Sequence, residues 1–318
     1  AAAGLTAARV GARLRRVPIG REEMLRNWPA AVFAMETSSR HFSDIALLTI
    51  ARRCRSDGIP ILLTGEGSDE LFGGYATYER AAKRWRAADA PWVWFRKRAS
   101  RERLLSRLEN APFTMSLAQV GTLSRPLHLE AAAPLSSLLQ SECVRAVSDL
   151  PSARDRGIVA SGLHDLMSHL QELLNRHDRL AMAASVEMRV PFIENGLIDF
   201  GMHLPARFLL RRRTPKYLLK KLAEDYLPHQ NIYKSKLGFP MSSAHSAGTQ
   251  DLLRGGRLGD VMRWSRREAD AAWQHAASDP GARLHLVGAE IYARLFVDGQ
   301  APQQVGEDLL ASAEDAPR

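Results

Sequence analysis

Three carboxylates, Glu66, Asp69 and Glu70, fall within five residues of a loop that also holds four glycines, Thr64-Gly65-Glu66-Gly67-Ser68-Asp69-Glu70-Leu71-Phe72-Gly73-Gly74-Tyr75. Carboxylates this close repel one another, and a cation or a bound cationic group relieves the repulsion. Glycine lets the backbone bend tightly and come close to a ligand. The loop therefore reads as a place where main chain and carboxylates together hold a charged ligand. The plainer alternative is an acidic turn capping a helix that begins near Asp69, but a turn of that kind does not need this residue set.

The flanking elements must position that loop. The apolar run Ile59-Pro60-Ile61-Leu62-Leu63 predicts a buried strand over 59–64. Residues 21–55 read as helical with a break around Pro29, and Ile45, Leu48 and Ile50 precede the turn Ser56-Asp57-Gly58. Helix, strand and ligand loop form an α/β unit, with ligands expected at the carboxyl end of the strand. Residues 76–160 are helical in composition, with breaks at Pro91, Pro112, Pro126, Pro134 and Pro151; Trp85, Trp92, Trp94 and Phe95 are read there as packing residues. Leu163, Leu166, Leu170, Leu173, Leu174 and Ala181 predict a helix over 163–186. Thr214 as N-cap and Pro215 at the first helical position predict a further helix through Leu222 and Tyr226, ending before Pro228. The polar tail after Gly299 is expected to fray.

The loop Thr64–Tyr75 resembles the signature of the asparagine synthetase family, in its C-terminal ATP-dependent, AMP-forming synthetase domain. Two later stretches resemble that domain in the same order. Asp178-Arg179-Leu180-Ala181-Met182-Ala183 leads into Ser185-Val186-Glu187-Met188-Arg189-Val190-Pro191-Phe192, and Lys234-Ser235-Lys236-Leu237-Gly238-Phe239 follows. Read as physics alone, Asp178, Arg179, Glu187 and Arg189 form a structural ion-pair network. A lysine ammonium can hold a phosphate oxygen as charge develops, and Lys234 and Lys236 alternate on an extended segment, so one of them faces a site.

The resemblance implies a parallel-sheet α/β nucleotide-binding domain, of the adenine nucleotide alpha hydrolase-like ATP pyrophosphatase type, with a large helical portion. The resemblance covers roughly residues 25–300, and the domain it implies spans 1–300, with a sheet-derived part over about 20–80, a helical part over about 81–300 and a flexible tail at 301–318. It implies a ligase that activates a carboxylate with ATP and magnesium as an acyl-adenylate and passes it to an amine, most like asparagine biosynthesis from aspartate and ammonia or glutamine. Asp69 would be the magnesium ligand, since hard oxygens suit that ion. Thr64, Gly65 and Gly67 would touch the nucleotide, and Glu66 would act as general base. Lys236 matches the catalytic lysine of the pattern. Lys216 matches a second phosphate-contacting lysine present in members that close β-lactam rings, where Tyr stands at the position of Glu66. Amidotransferases of specialised metabolism, lasso-peptide cyclases and a non-catalytic nucleotide-binding or scaffold subunit are the alternatives.

The sequence departs from the family pattern in two places. The pyrophosphate loop, S-G-G-x-D-S, belongs upstream of Glu66 and occurs nowhere in the chain. A glutaminase domain would begin with a cysteine nucleophile, whereas this chain begins Ala1-Ala2-Ala3. The expectation is an N-terminally truncated synthetase whose isolated chain is inactive, completed by a segment or partner chain carrying the pyrophosphate loop and a glutaminase domain.

Composition bounds the rest. The 318 residues are 45% hydrophobic and hold 44 basic and 35 acidic side chains, for a net charge of +9. A positive field suits ATP and pyrophosphate. The densest basic groups, Arg96 to Arg103 and Arg211-Arg212-Arg213, belong to no nucleic-acid module, so no nucleic acid is expected. No run approaches the ~18 apolar residues of a membrane span, and residues 1–16 lack the apolar segment of a secretory signal. Two cysteines, Cys54 and Cys143, exclude a disulfide framework and a cysteine-built zinc site, and point to the cytoplasm.

Overall fold

The computed structural model describes residues 2–38, 41–88, 133–234 and 243–314. Its helices, in chain order, are α1 (Ala2–Val10), α2 (Arg21–Met35), α3 (Ser43–Ser56), α4 (Ser68–Phe72), α5 (Ala76–Ala88), α6 (Ala133–Ala146), α7 (Ala153–Met167) and α8 (His169–Met182). They continue as α9 (Asn195–His203), α10 (Ala206–Leu209), α11 (Tyr217–Ala223), α12 (His229–Ile232), α13 (Arg257–Val261), α14 (Arg266–Ser278), α15 (Pro280–Phe296) and α16 (Pro302–Glu314). Strands β1 (Ile61–Leu63) and β2 (Glu187–Arg189) form a small parallel sheet; β3 (Leu210–Arg211) and β4 (Thr214–Pro215) form an antiparallel hairpin.

The chain divides into two compact units. The first comprises Ala1–Leu14, Leu63–Leu174 and Val190–Lys234. Its centre is α7 against α5. Gly157 permits that approach, because a β-carbon there would lie 2.6 Å from the Trp85 indole. Tyr78, Ala81, Ala82, Trp85 and Ile158 are buried along the seam. Cys143, Val147 and Ala160 pack α6 onto the other flank.

The second unit comprises Arg15–Leu62, Asn175–Arg189 and Ser235–Arg318. Met24, Leu25, Trp28 and Val32 of α2 share one core with Ile45, Leu48, Val287, Ile291, Val305 and Leu309. Truncating one such side chain to alanine typically costs about 2–5 kcal/mol. A second cluster places Leu62 and Met188 against Ala51, Cys54, Ala181, Ala184 and Val186, so the β1–β2 sheet has one covered face. Glu187 N–H donates to the Pro60 carbonyl at 2.8 Å and sets the strand register.

Several expectations change. Pro29 does not break α2: it is buried inside the helix, which runs to Met35 and stops at Glu36, in the left-handed region at φ 53°. Burial of the flanking Leu25, Trp28 and Val32 outweighs the one hydrogen bond that proline removes. The helix expected over 163–186 is two helices, parted at Ser168 with φ −124° and ψ −73°. The Ser168 hydroxyl bonds back to the His164 carbonyl at 2.6 Å, satisfying an acceptor at the break.

Thr214 and Pro215 are not a helix start. They form β4, with Thr214 opposite Arg211 and Pro215 opposite Leu210, and Arg212 turns the hairpin at φ 56°. The helix begins later, at Tyr217, and ends at Ala223. The segment after Gly299, expected to fray, is helical from Pro302 to Glu314, because Val305, Leu309 and Ala313 reach the core of the second unit. Of the expected ion-pair network, Glu187 and Arg189 bond to each other at 2.8 Å on the surface, and Arg179 bonds Glu36 at 2.6 Å instead. Trp92, Trp94, Phe95, the breaks at Pro91, Pro112 and Pro126, and the basic run from Arg96 lie outside the described residues.

Candidate functional site

The loop leaves β1 at Thr64 and re-enters helix at Ser68. Gly65 and Gly67 make this possible in different ways. Nothing lies within 4 Å of a β-carbon built on Gly65, so its backbone faces open space, where a ligand can approach the main chain. Gly67 sits at φ 83°, the left-handed region that glycine adopts at no steric cost, and a β-carbon there would stand 2.7 Å from the Ile193 side chain. Ile193 follows Val190-Pro191-Phe192, and the Phe192 ring meets Phe72 edge to face at 6.1 Å. Two stretches that are far apart in sequence thus pack on each other within the first unit.

At the far end of α4, Gly73 takes φ 70°, and Gly74 N–H donates to the Asp69 carbonyl at 2.8 Å. The turn brings Gly74 beneath the Asp69 carboxylate. A β-carbon at Gly74 would fall 1.7 Å from Asp69 Oδ1 and 2.4 Å from Lys216 Cε. Lys216 comes from the chain leaving β4, in the left-handed region at φ 51°, ψ 40°. Its Nζ lies 3.1 Å from Asp69 Oδ1 and donates to Ser68 Oγ at 2.8 Å. Ser68 is buried, and the Lys216 and Asp69 side chains are 25% and 20% exposed, so the pair remains within reach of a ligand.

The structure therefore brings Thr64, Gly65, Glu66, Gly67 and Asp69 together in one loop and adds Lys216 from a distant segment. Thr64 and Glu66 are half-buried. Lys236 lies outside the described residues; its neighbour Lys234 is exposed.

Behind the loop, Glu70 and Tyr75 of the signature join a polar cluster with α7 and α8 residues that no sequence motif marks. Glu70 is 3% exposed. The Tyr75 hydroxyl donates to Glu70 Oε1 at 2.6 Å, and Oε2 has no hydrogen-bond partner. Burial pushes the Glu70 carboxyl up from 4.5 to about 7; the Tyr75 hydrogen bond opposes this, and the Asp69 and Glu66 charges add to it. Burial also raises the Tyr75 and Tyr78 hydroxyls, with Glu70 and Asp165 contributing. His164 and Asp165 are buried on α7, and His169 stacks edge to face on Tyr75 at 5.7 Å. A small cavity between these elements is lined by Glu70, Tyr78, Ile158, Gly162 and Leu209. The sequence signal was present in the polar pair His164-Asp165 amid an apolar helix.

Asp69 would offer magnesium a hard carboxylate oxygen here. The described residues form no group of three or more metal-ligating side chains. A single carboxylate fits an ion that arrives with phosphate oxygens rather than one held in an all-protein cage.

The profile of the asparagine synthase family matches residues 1–298. This chain belongs to that family. Among similar family proteins, a putative glutamine-hydrolyzing asparagine synthetase of Mycobacterium tuberculosis is 25% identical over 285 residues, covering 80% of this chain and 39% of the relative. Glutamine-hydrolyzing asparagine synthetase 1 of Bacillus subtilis is 26% identical over 257 residues, covering 76% and 40%. Asparagine synthetase 3 of the same organism is 25% identical over 232 residues, covering 70% and 33%. The chain thus spans about two fifths or less of the length of these curated relatives. No helix among the described residues is long and apolar enough to cross a membrane.

Proposed function

We propose that this chain carries part of an ATP-dependent amide-forming site of the acyl-adenylate type. Its substrates would be a small carboxylate and an amine, most like aspartate with ammonia. The observation that carries this reading is the convergence of Lys216 on Asp69 and Ser68 at the glycine-spaced loop. A carboxylate is a poor acyl donor because its leaving group is oxide. Transfer of AMP onto it releases pyrophosphate and supplies a good leaving group, and attack by the amine then yields amide and AMP. Asp69 would hold magnesium, which when bound neutralises polyphosphate charge. Lys216 and Lys236 would each place an ammonium against phosphate oxygens as pyrophosphate departs. The open side of Gly65, with Thr64 and Gly67, would meet the nucleotide through the main chain. Glu66, half-buried at the loop apex, would orient the amine and accept its proton.

The nucleotide-binding superfamily named in the sequence reading, an ATP-pyrophosphatase domain, is part of this proposal. So are a segment or partner chain supplying the pyrophosphate loop and a glutaminase domain, and a cytoplasmic location, which suits the free thiols of Cys54 and Cys143. The seating of Lys216 beside Asp69 also favours a second reading, an amide synthetase of specialised metabolism, because that lysine is the one shared with ring-closing members.

The test is ATP–pyrophosphate exchange by the protein supplied with a polypeptide bearing S-G-G-x-D-S. Asp69→Asn and Lys236→Ala should each abolish exchange, while Glu66→Gln should spare exchange and depress amide formation. Full exchange by Lys236→Ala would refute the role given to that lysine. A panel of carboxylates and amines separates asparagine formation from the second reading.

A further inference from the structure

We propose that Ser68 is a positioning residue: its hydroxyl and the Asp69 carboxylate form a two-point seat that fixes the Lys216 ammonium over the loop. This rests on the reading above only in giving Lys216 a phosphate to meet. The seat itself stands on geometry.

A lysine ammonium is a compact charge on a flexible four-carbon stem, and a carboxylate alone holds it without direction. A second, uncharged acceptor supplies direction. Ser68 Oγ stands 2.8 Å from Lys216 Nζ, while Asp69 Oδ1 stands at 3.1 Å. Ser68 is 8% exposed, so water competes poorly for this hydroxyl. Two backbone features keep the path clear. Gly74 leaves empty the volume that a β-carbon would contest with Lys216 Cε and Asp69 Oδ1. Lys216 itself holds a left-handed backbone, a conformation that a residue with a side chain adopts at a cost and that persists where surrounding contacts impose it. Here the contacts are the β3–β4 pairing before it and α11 after it. Strain at Lys216, a missing side chain at Gly74 and a buried hydroxyl at Ser68 converge on one nitrogen.

The seat is tested by acetylation footprinting of the chain as it stands, with Lys216 read by mass spectrometry against the exposed Lys234. Lys216 should react more slowly than Lys234. Ser68→Ala should raise its relative rate about tenfold or more, the scale of one lost hydrogen bond to a charged group, and Ser68→Thr should restore the slow rate. Asp69→Asn should leave Lys216 partly protected. Should Ser68→Ala not fold, the Asp69→Asn protein alone decides: full exposure of Lys216 there would mean that the ion pair was the whole seat, and would overturn the proposal. An unchanged rate in a folded Ser68→Ala protein would overturn it as well.

In the completed enzyme, Ser68→Ala should lower exchange in the wild-type background and do nothing further in a Lys216→Ala background. A footprint that shifts while Lys216→Ala leaves exchange intact would defeat the phosphate role of Lys216 and leave the seat standing. Loss of exchange in Lys216→Ala, with neither footprint nor exchange altered by Ser68→Ala, would defeat the seat and leave the role of Lys216.

Discussion

At the scale of single residues, the site loop keeps its three acidic side chains in three environments. Asp69 is paired with Lys216, Glu66 is half-buried, and Glu70 is buried against Tyr75 with one oxygen unpartnered. The last has a pH consequence. With its carboxyl raised from 4.5 to about 7, Glu70 retains in the folded protein a proton that the unfolded chain gives up. Stability from this group is full below about pH 4.5, falls as pH rises towards 7, and is gone above it, a loss of up to about 3 kcal/mol. Glu70→Gln keeps the shape and removes the titration. It should flatten the decline in melting temperature expected of the parent protein between pH 4.5 and 7. A variant whose melting temperature declines as steeply as the parent's would contradict the assignment. The carboxylate spacing was legible in the sequence because it is local. That Glu70 turns inward while Asp69 turns towards a lysine was not, since both depend on what packs behind α4.

At the scale of elements, two contacts lend themselves to measurement. The first is the α5–α7 seam, where Gly157 faces the Trp85 indole. Gly157→Ala must displace a buried ring and should destabilise the first unit by about 1–3 kcal/mol, as overpacking typically does, read by urea denaturation. The second is Glu290 of α15. It is wholly buried, and its two oxygens accept the N–H groups of Arg257 at 2.9 Å and Leu258 at 2.6 Å while Arg294 donates at 2.7 Å. It satisfies the first amides of α13 from another helix. Glu290→Ala leaves those buried amides without their acceptor and leaves Arg294 paired with Asp308 alone, and should cost about 3–5 kcal/mol. Surface exchanges on α14 provide the control, with effects within about 0.5 kcal/mol. Helix periodicity located α3, α8 and the end of α7 from sequence. It failed at Pro29, at Ser168 and at Thr214-Pro215, because propensity there is overruled by a core contact, a side-chain-to-carbonyl bond and a strand partner, respectively.

At the scale of the whole molecule, the apolar run before the site loop is incompletely covered. Leu62 joins a buried cluster, whereas Ile59, Ile61 and Leu63 are 42%, 38% and 72% exposed. A run that is apolar on both faces belongs to a strand covered on both sides. Together with the chain's two-fifths share of its relatives' length, this predicts that polypeptide carrying the pyrophosphate loop will lower hydrogen exchange over 59–66 when added to this chain. Unchanged exchange there, with binding shown by another probe, would place the added polypeptide elsewhere. The same mixture should show more ATP–pyrophosphate exchange than the sum of its components measured separately.

The amino-acid order by itself determined the loop: glycines at Gly67 and Gly73 permit left-handed turns that few other residues accept, and the carboxylates ride on that backbone. It also determined family membership, since three motifs in order are a one-dimensional property. Only the tertiary structure decided that Lys216 sits on Ser68 and Asp69, that Glu70 is sealed inside, and that the tail after Gly299 is a packed helix. These depend on contacts between residues far apart in the chain, where free energy comes from excluding water and matching charge in three dimensions, and no local pattern encodes which partner will be there.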